Sequence, residues 1–516
     1  MDPQVEQLSE DIEQMWAMAK EFGLDPYPIH FEMVPASIMY EFGAYGLPGR
    51  YSHWTHGKAF YRMKTQYDYG LSKIYEMVIN ADPAYAFLLE NNSLTQNRLV
   101  VAHVLGHVDF FKHNAYFRFT NRQMVETASL NAGRIRDYEY EHGTRKVEEF
   151  LDAVLSIAEH VDPHLSFRYL TDAEKRTERD RPSKPVESAY DDIWNLRGVD
   201  DVPDTPPPSR DRGRASLGRL KERVNSDERD AGTRFPEEPE KDLLRFILDY
   251  ARGLEDWQRD IIGIVRQEML YFVPQMQTKI MNEGWASFWH QRIMREFEMT
   301  SDEYTEYATV NAGVVAPSRY HVNPYYLGVK MYEAIEKRWD NPTEEDRERL
   351  GMIPDQGRAK LFEVREVDND ISFLRNYLTK ELIEELDLYL YAKEGNEWVI
   401  VEKNWEKVRD SIVTSMTNFG VPYITVEDGD YRRNHELYLL HRYEDQELDL
   451  GYAEKTIQYL YQLWGRPVHL ETVVGEERVL ISYDGNRATR SAIGVHKPGK
   501  LWLLPSDAVS IRLEAV

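Results

Sequence analysis

"VVAHVLGHVDFFKHN", residues 100–114, sets two histidines four apart in an apolar segment. On a helix, residues four apart stand one above the other. Leu99, His103, Gly106, His107, Phe110 and Asn114 then share one stripe, so both imidazoles face the interior. That spacing lets two rings grip one metal ion. Gly106 costs a helix interior about 1 kcal/mol, which points to a close neighbour there. Two buried imidazoles need partners for four ring nitrogens. A metal supplies one partner to each ring; a hydrogen-bonded core pair is the other reading.

A second stretch raises the metal reading. "TKIMNEGWASFWHQRIM", residues 278–294, puts Glu283, Ala286, Ser287 and His290 on one helical stripe with a small-residue middle. Another helix can pack closely against it. A buried glutamate needs a positive partner or a neutral form. A metal on His103 and His107 would be that partner for Glu283; an Arg or Lys is the alternative. His290 is the further candidate ligand on this stripe. With nitrogen and oxygen donors, the expected cofactor is a divalent metal, zinc first.

Composition limits the other classes. The 516 residues are 42% apolar, enough for two or three domains with sizeable cores. A net charge of −26 argues against nonspecific nucleic-acid binding. The absence of cysteine removes disulfides, thiolate catalysis and iron–sulfur clusters. The N-terminus "MDPQVEQLSEDIEQ" is polar and acidic, unlike a signal peptide, and no run of about 18 apolar residues occurs. A cytoplasmic protein without a membrane span is expected.

The pattern along the chain is α+β. Residues 4–22 read as an amphipathic helix, 26–62 as aromatic-packed loop, and "DYGLSKIYEMVIN" as a short helix. "AYAFLLE", 84–90, reads as a buried strand, and helices follow at 121–142 and 146–160. Residues 172–240 hold 32 charged residues and eight prolines, too little apolar surface to offset ordering entropy. They read as a disordered insertion, with "YDDIW" as a short anchor. Helical pattern resumes over 241–297 and beyond. The expected organisation is a mainly helical N-terminal domain with a small sheet over 1–365, and a smaller α+β domain over 366–516. The latter opens with a hairpin around Gly395-Asn396.

Weaker signals lie elsewhere. "HWTH", 53–56, and His160 could line a cleft. Glu139-x-x-His142 has di-iron spacing, but His142 precedes Gly143, a helix C-cap, where a cation complements the dipole.

"FGLDPYP", "FGAYGLPGRYSHW", "YDYGLSKIYEMVIN", "AHVLGHVDFFKHN", "PQMQTKIMNEGWASFWH", "NAGVVAPS" and "LYQLWGRPVHLE" closely resemble the SpoVR family, named for a stage V sporulation protein. The resemblance covers nearly the whole chain outside 172–240 and the last few dozen residues. It implies a role in forming the spore cortex, the modified peptidoglycan of the endospore, and no known chemistry. Relatives in non-sporulating bacteria, often beside a serine kinase gene, imply a wider job. A serine kinase or cortex-synthesis proteins are the partners so implied. Direct action on finished cortex does not fit a cytoplasmic address; precursors, or regulation of cortex enzymes, do.

The N-terminal domain is also similar to the gluzincin metallopeptidases: a strand, a His-x-x-x-His helix, and a later helix beginning Asn-Glu. By position this makes His103, His107 and Glu283 the ligands. It makes 84–90 the edge strand that pairs with a peptide, and Tyr325 or Tyr326 an oxyanion donor. Val104 stands where gluzincins carry the general base. Asp109 points away from the ligand face, so Glu126 on the next helix is the expected substitute. A metal-dependent amide hydrolase and a non-catalytic regulator with a relic site both remain open.

Overall fold

The computed structural model describes residues 3–46, 49, 51–68, 76–163, 235–318, 321–394, 397–444 and 446–496. The chain begins with α1 (Pro3–Glu21). A small sheet and its helices follow: β1 (Ile29–Val34), α2 (Ala36–Tyr45), α3 (Trp54–Asp68), β2 (Glu76–Ile79) and β3 (Ala84–Leu89). Next come α4 (Leu94–His113), α5 (Met124–His142) and α6 (Thr144–Leu155). From residue 243 the helices are α7 (Leu243–Tyr250), α8 (Asp256–Gln277), α9 (Lys279–Glu296), α10 (Ser301–Val314) and α11 (Pro324–Asp340). Shorter ones follow: α12 (Glu344–Leu350), α13 (Gly357–Val367), α14 (Asp370–Tyr377) and α15 (Lys380–Glu385). The hairpin β4 (Leu390–Glu394) and β5 (Glu397–Glu402) leads to α16 (Trp405–Met416). The last unit is β6 (Ile424–Tyr431), β7 (Glu436–His441), α17 (Leu450–Trp464), β8 (Val468–Val474), β9 (Glu477–Tyr483) and β10 (Ala488–Val495). The fold is α+β.

α4 is the axis of the helical body. Ser93 caps it: its hydroxyl accepts from Gln96 N–H, and the Gln96 side chain returns to the Ser93 N–H. Sixteen of its twenty residues are buried, so apolar side chains cover it nearly all round, as a core helix requires. α9 packs beside it. A Cβ at Gly106 would sit 2.7 Å from Ala286 Cα, so these backbones meet at a contact only glycine permits. On its other flank α9 meets α11, where a Cβ at Gly284 would stand 2.5 Å from Gly328 Cα. α9 is thus clamped between two helices at glycine contacts, with Trp285 and Trp289 fully buried beside it.

Asp109 locks the clamp. It accepts from Arg365 Nη1 at 2.7 Å, from Trp285 Nε1 at 2.9 Å, and from Asp25 N–H at 2.8 Å. Its two oxygens serve three donors on three elements, and it is fully buried. Phe373, Leu374, Ile412 and Val413 join the same apolar cluster as α4 and α9, so the chain through Met416 packs with the helical body. The five-stranded sheet, in order β10-β9-β8-β7-β6, packs its inner face on α17 and into a second cluster shared with α6, α7 and α8.

The strand order of the small sheet corrects the reading of "AYAFLLE" as an edge. The order is β1-β3-β2, so β3 is central, parallel to β1 and antiparallel to β2. A central strand has no free ladder for a peptide. The "EMVI" segment is likewise strand β2, where a helix was expected. Val78 and Ile79 pair with Ala86 and Tyr85, and β-branched residues suit that pleat. Residues 26–62, expected as loop, contain β1, α2 and most of α3. Short elements rich in aromatics and glycine carry little periodic signal.

Residues 164–234 lie outside the described residues, and with them most of the 172–240 stretch and "YDDIW". The turn at 395–396 also lies outside them. The end of the charged stretch is ordered: Glu240 and Val426 exchange both backbone bonds at 3.0 and 2.7 Å. Phe235 packs on Phe246 and Tyr250. A sheet-edge ladder and an aromatic cluster hold it where composition alone indicated disorder.

Candidate metal centre

The site is built where α4, α9 and β2 meet. His103 and His107 project from α4, Glu283 from α9, and Glu76 from the start of β2. His103 Nε2 lies 3.3 Å from Glu76 Oε1 and 3.5 Å from Glu283 Oε2. His107 Nε2 lies 3.5 Å from Glu76 Oε1 and 3.3 Å from Glu283 Oε2. Both histidines are 3% exposed. Glu76 with His103 and His107 forms a compact group able to hold a metal ion.

The four distances admit a physical check. A tetrahedral ion with bonds of about 2.0–2.1 Å has ligand–ligand edges of about 3.3–3.4 Å. The separations of Glu76 Oε1 from the two rings, 3.3 and 3.5 Å, match those edges; Glu283 Oε2 lies as near to each ring, at 3.5 and 3.3 Å, but falls outside the compact group of Glu76, His103 and His107.

The outer ring nitrogens fix the inner ones. His290 Nε2–H donates to Asn311 Oδ1 at 2.8 Å, so His290 presents a lone pair at Nδ1. His103 Nδ1–H donates to that lone pair at 2.8 Å. Its Nε2 therefore carries a lone pair and faces the carboxylates. His107 Nδ1–H donates to Asn282 Oδ1 at 2.9 Å and leaves its Nε2 free in the same way. Holding the outer nitrogen is how proteins orient histidine ligands. His103 Nε2 and Glu283 Oε2 are buried acceptors with no hydrogen-bond partner. Two facing acceptors without a donor are costly, and a cation between them removes the cost. These residues fit a metal ion.

The electrostatics agree. Burial opposes charge on His107, yet Glu283 and Glu76 outweigh it and push the imidazolium up to about 10. Burial also opposes charge on Glu283, but His107 and His103 hold its carboxyl well below the usual carboxylate range. The carboxylates thus demand a positive partner, which is either a proton or a metal ion. Burial, assisted by His103, pushes His290 down to about 3, so it stays neutral as the relay requires.

The other expected residues are placed as follows. His290 touches His103 rather than the carboxylates and supports a ligand. Tyr325 reaches the site. Its ring stacks on His103 with centroids 6.0 Å apart, and its phenol hydrogen-bonds to Glu283. Burial, then the charges of Glu283 and Glu76, pushes that phenol well above its ordinary value. Tyr326 is held by its backbone N–H on Asn323 Oδ1, with no contact to the cluster among the described residues. Glu126 is exposed on the first turn of α5 and, among the described residues, makes no contact with the cluster. Asp109 is engaged by Arg365 and Trp285. Val104 is fully buried in the core, where a charged base would have no water. His53 binds Thr55 and Asp152, His56 the Ala44 carbonyl, and His160 lies near Lys241 and His441. His142 stacks on Trp257, and Gly143 caps α5.

Glu76 is the residue that sequence reasoning missed. Its segment read as helix, and a lone glutamate at a strand start carries no spacing signal toward a histidine 27 positions on. The pairing of β2 with β3 delivers it, because β3 leads directly into α4.

The fold and site define a helical α+β protein in which two half-buried glutamates face a buried histidine pair. The chain belongs to the SpoVR-like family. The family description "SpoVR like protein" matches residues 2–421, and "SpoVR-like C-terminal domain" matches 422–475. The chain is similar to the uncharacterized protein YcgB of Escherichia coli (strain K12), 28% identical over 481 residues. That alignment covers 88% of this chain and 89% of the relative. No solved structure matches the chain. Among the described residues, no helix is long and apolar enough to cross a membrane.

Proposed function

We propose that this protein binds one divalent metal ion, zinc first, through His103 Nε2, His107 Nε2, Glu76 Oε1 and Glu283 Oε2. The convergence of Glu76, His103 and His107 on one point, with Glu283 within 3.5 Å of both rings, carries the reading. Two imidazoles and two carboxylates suit zinc over softer-ligand metals. A set of four protein ligands is a closed set, as structural centres have. Val104 in the place of a general base agrees with that. The centre therefore ties α4, α9 and β2 together and makes folding of the helical body depend on metal. The family supports sporulation as the biological setting; formation of the spore cortex is the specific process proposed within it. Cortex-synthesis proteins or a serine kinase are the partners that setting suggests.

A second reading rests on Tyr325. Its phenol, on Glu283 and stacked on His103, is a hydrogen-bond donor placed beside the centre. In that reading the protein is an amide hydrolase acting on a cortex precursor or regulator. The metal would supply Lewis acidity. Glu76 would take the proton of the attacking water at its carboxylate, in the role that Val104 cannot fill. Tyr325 would donate to the developing oxyanion.

Titration of zinc into metal-stripped protein tests the proposal. One site is expected, weakened at least about tenfold by Glu76→Ala and by Glu283→Gln. Unchanged affinity in both variants would refute the ligand set. Loss of hydrolysis in Tyr325→Phe with unchanged zinc affinity would favour the second reading.

A further inference from the structure

Away from the metal centre, the five-stranded sheet carries a polar arrangement on the face turned away from α17. Side chains alternate between the two faces along a strand. Leu437, Leu439, Val468, Leu470 and Ile481 face the core. Glu436, His469 and Ser482 therefore share the opposite face, on β7, β8 and β9, which are neighbours in the sheet. Register brings them together. His469 pairs with Ser482 on one side, and on the other with Tyr438, two residues after Glu436. His469 Nε2–H donates to Glu436 Oε2 at 2.9 Å. A carboxylate only accepts, so the other ring nitrogen holds the lone pair, and Ser482 Oγ–H donates to His469 Nδ1 at 2.8 Å.

A hydroxyl on an imidazole whose far nitrogen is held by a carboxylate is the arrangement that activates a nucleophile. Either ring nitrogen serves, because the carboxylate decides which one keeps the lone pair. The ring is fixed: His469 is 5% exposed, with the Tyr431 ring centre 5.1 Å away and that of Tyr438 6.5 Å away. The base is neutral: burial lowers the His469 imidazolium from its ordinary value, and Glu436 acts against that. The hydroxyl is reachable. Ser482 is half-buried on a strand paired along both edges, so its exposed part is the side chain. Thr489, its register partner on β10, is exposed and sets a second hydroxyl within side-chain reach of it.

We propose that Ser482 is a nucleophile, with His469 as its general base and Glu436 positioning that base, and that it accepts the acyl group of an activated carboxylic ester. Ser482 Oγ bonds to the carbonyl carbon as the ester C–O bond breaks. The hydroxyl proton passes to His469 Nδ1 and from there to the leaving alkoxide. Thr489 donates to the carbonyl oxygen as charge grows on it. Water then attacks the acyl group by the same route, releasing the acid and restoring the serine. The ladder occupies the N–H groups of β9, so one hydroxyl stands in for the usual pair of backbone donors. Turnover is therefore confined to esters with a good leaving group, such as aryl esters. The proposal does not depend on the metal centre.

Labelling of the full-length protein with a fluorophosphonate, located by mass spectrometry of its peptides, is the test. In that reaction the serine Oγ–P bond forms and fluoride leaves. A label on Ser482 is expected. Ser482→Ala, which removes only the hydroxyl, should lose that label and at least about tenfold of the rate of p-nitrophenyl acetate hydrolysis. His469→Gln, with unchanged circular dichroism, should slow the labelling at least about 100-fold. Glu436→Gln still accepts from the ring but lacks the charge; it should lower kcat for p-nitrophenyl acetate at least about tenfold with KM unchanged. An unlabelled Ser482 overturns the proposal. So does undiminished ester hydrolysis in Ser482→Ala, or labelling at the wild-type rate in folded His469→Gln protein. An unchanged kcat in Glu436→Gln overturns the positioning role of that carboxylate.

Discussion

His290 Nδ1 lies 2.8 Å from His103 Nδ1, the ring nitrogen that does not face the carboxylates. Two histidines that hydrogen-bond through the same nitrogen type must hold different tautomers. Asn311, on α10, chooses which. A side chain on α10, far along the chain from α4, thus sets the direction of the lone pair at the cluster.

His290→Phe should therefore weaken zinc binding by about 10- to 100-fold without removing a proposed ligand. Asn311→Asp keeps an acceptor at the end of the relay and should retain most of the affinity; Asn311→Leu should not. Zinc titration of the three variants checks this. Equal affinity in His290→Phe and wild type would show that His103 needs no orientation from His290.

The glycine contacts give a packing prediction. Gly328→Ala drives a methyl onto the Ile280 carbonyl oxygen and to 2.5 Å from Gly284 Cα. Backbone cannot yield as a flexible side chain does, so α9 and α11 must separate. A loss of about 1–3 kcal/mol is expected, read as a lower denaturant midpoint. Gly313→Ala, with open space around its Cβ, is the control and should be neutral or stabilising.

Much of this was legible in the sequence, for reasons tied to particular residues. The stripe of His103, Gly106 and His107 announced both a buried face and a close helix, and Ala286 of the second stripe is that neighbour. Ser93, Gly143 and the C-terminal strands follow from capping and alternation. β2 did not, because four residues with a glutamate at one end fit either period. Glu76 followed β2 into obscurity. The ordering of Phe235 and Glu240 was equally hidden: their partners Phe246 and Val426 lie outside the charged stretch, so tertiary contact decides.

Asp109 and Arg365 give a stability prediction. Asp109→Ala leaves the guanidinium, 6% exposed, without its carboxylate. The cost should be about 3–5 kcal/mol, as for other broken buried pairs. Thermal unfolding should show it, and Asp109→Ala with Arg365→Met should recover part of the loss. An undiminished melting temperature in the single variant would contradict the lock assigned to this pair.

Glu268 gives a pH prediction. Burial pushes its carboxyl up to about 8 from an ordinary value of 4.5. Between those values the folded chain holds a proton that the unfolded chain has released. Stability from this group is full below about 4.5 and is lost as pH rises through about 8, by up to roughly 1.4 kcal/mol per pH unit. Glu268→Gln removes the titration. Between pH 5 and about 8 its stability should fall less steeply than that of the wild type, as measured by urea unfolding across that range. Parallel curves would exclude a proton on Glu268.

The central claim, a bound metal at Glu76, His103, His107 and Glu283, is tested most directly by elemental analysis of untagged protein purified without chelator. One equivalent of a divalent metal per chain is expected, zinc foremost, falling below about one tenth in His103→Ala with His107→Ala. Metal-free protein that is folded and stable, with the cluster held by a proton on His107 alone, would contradict it.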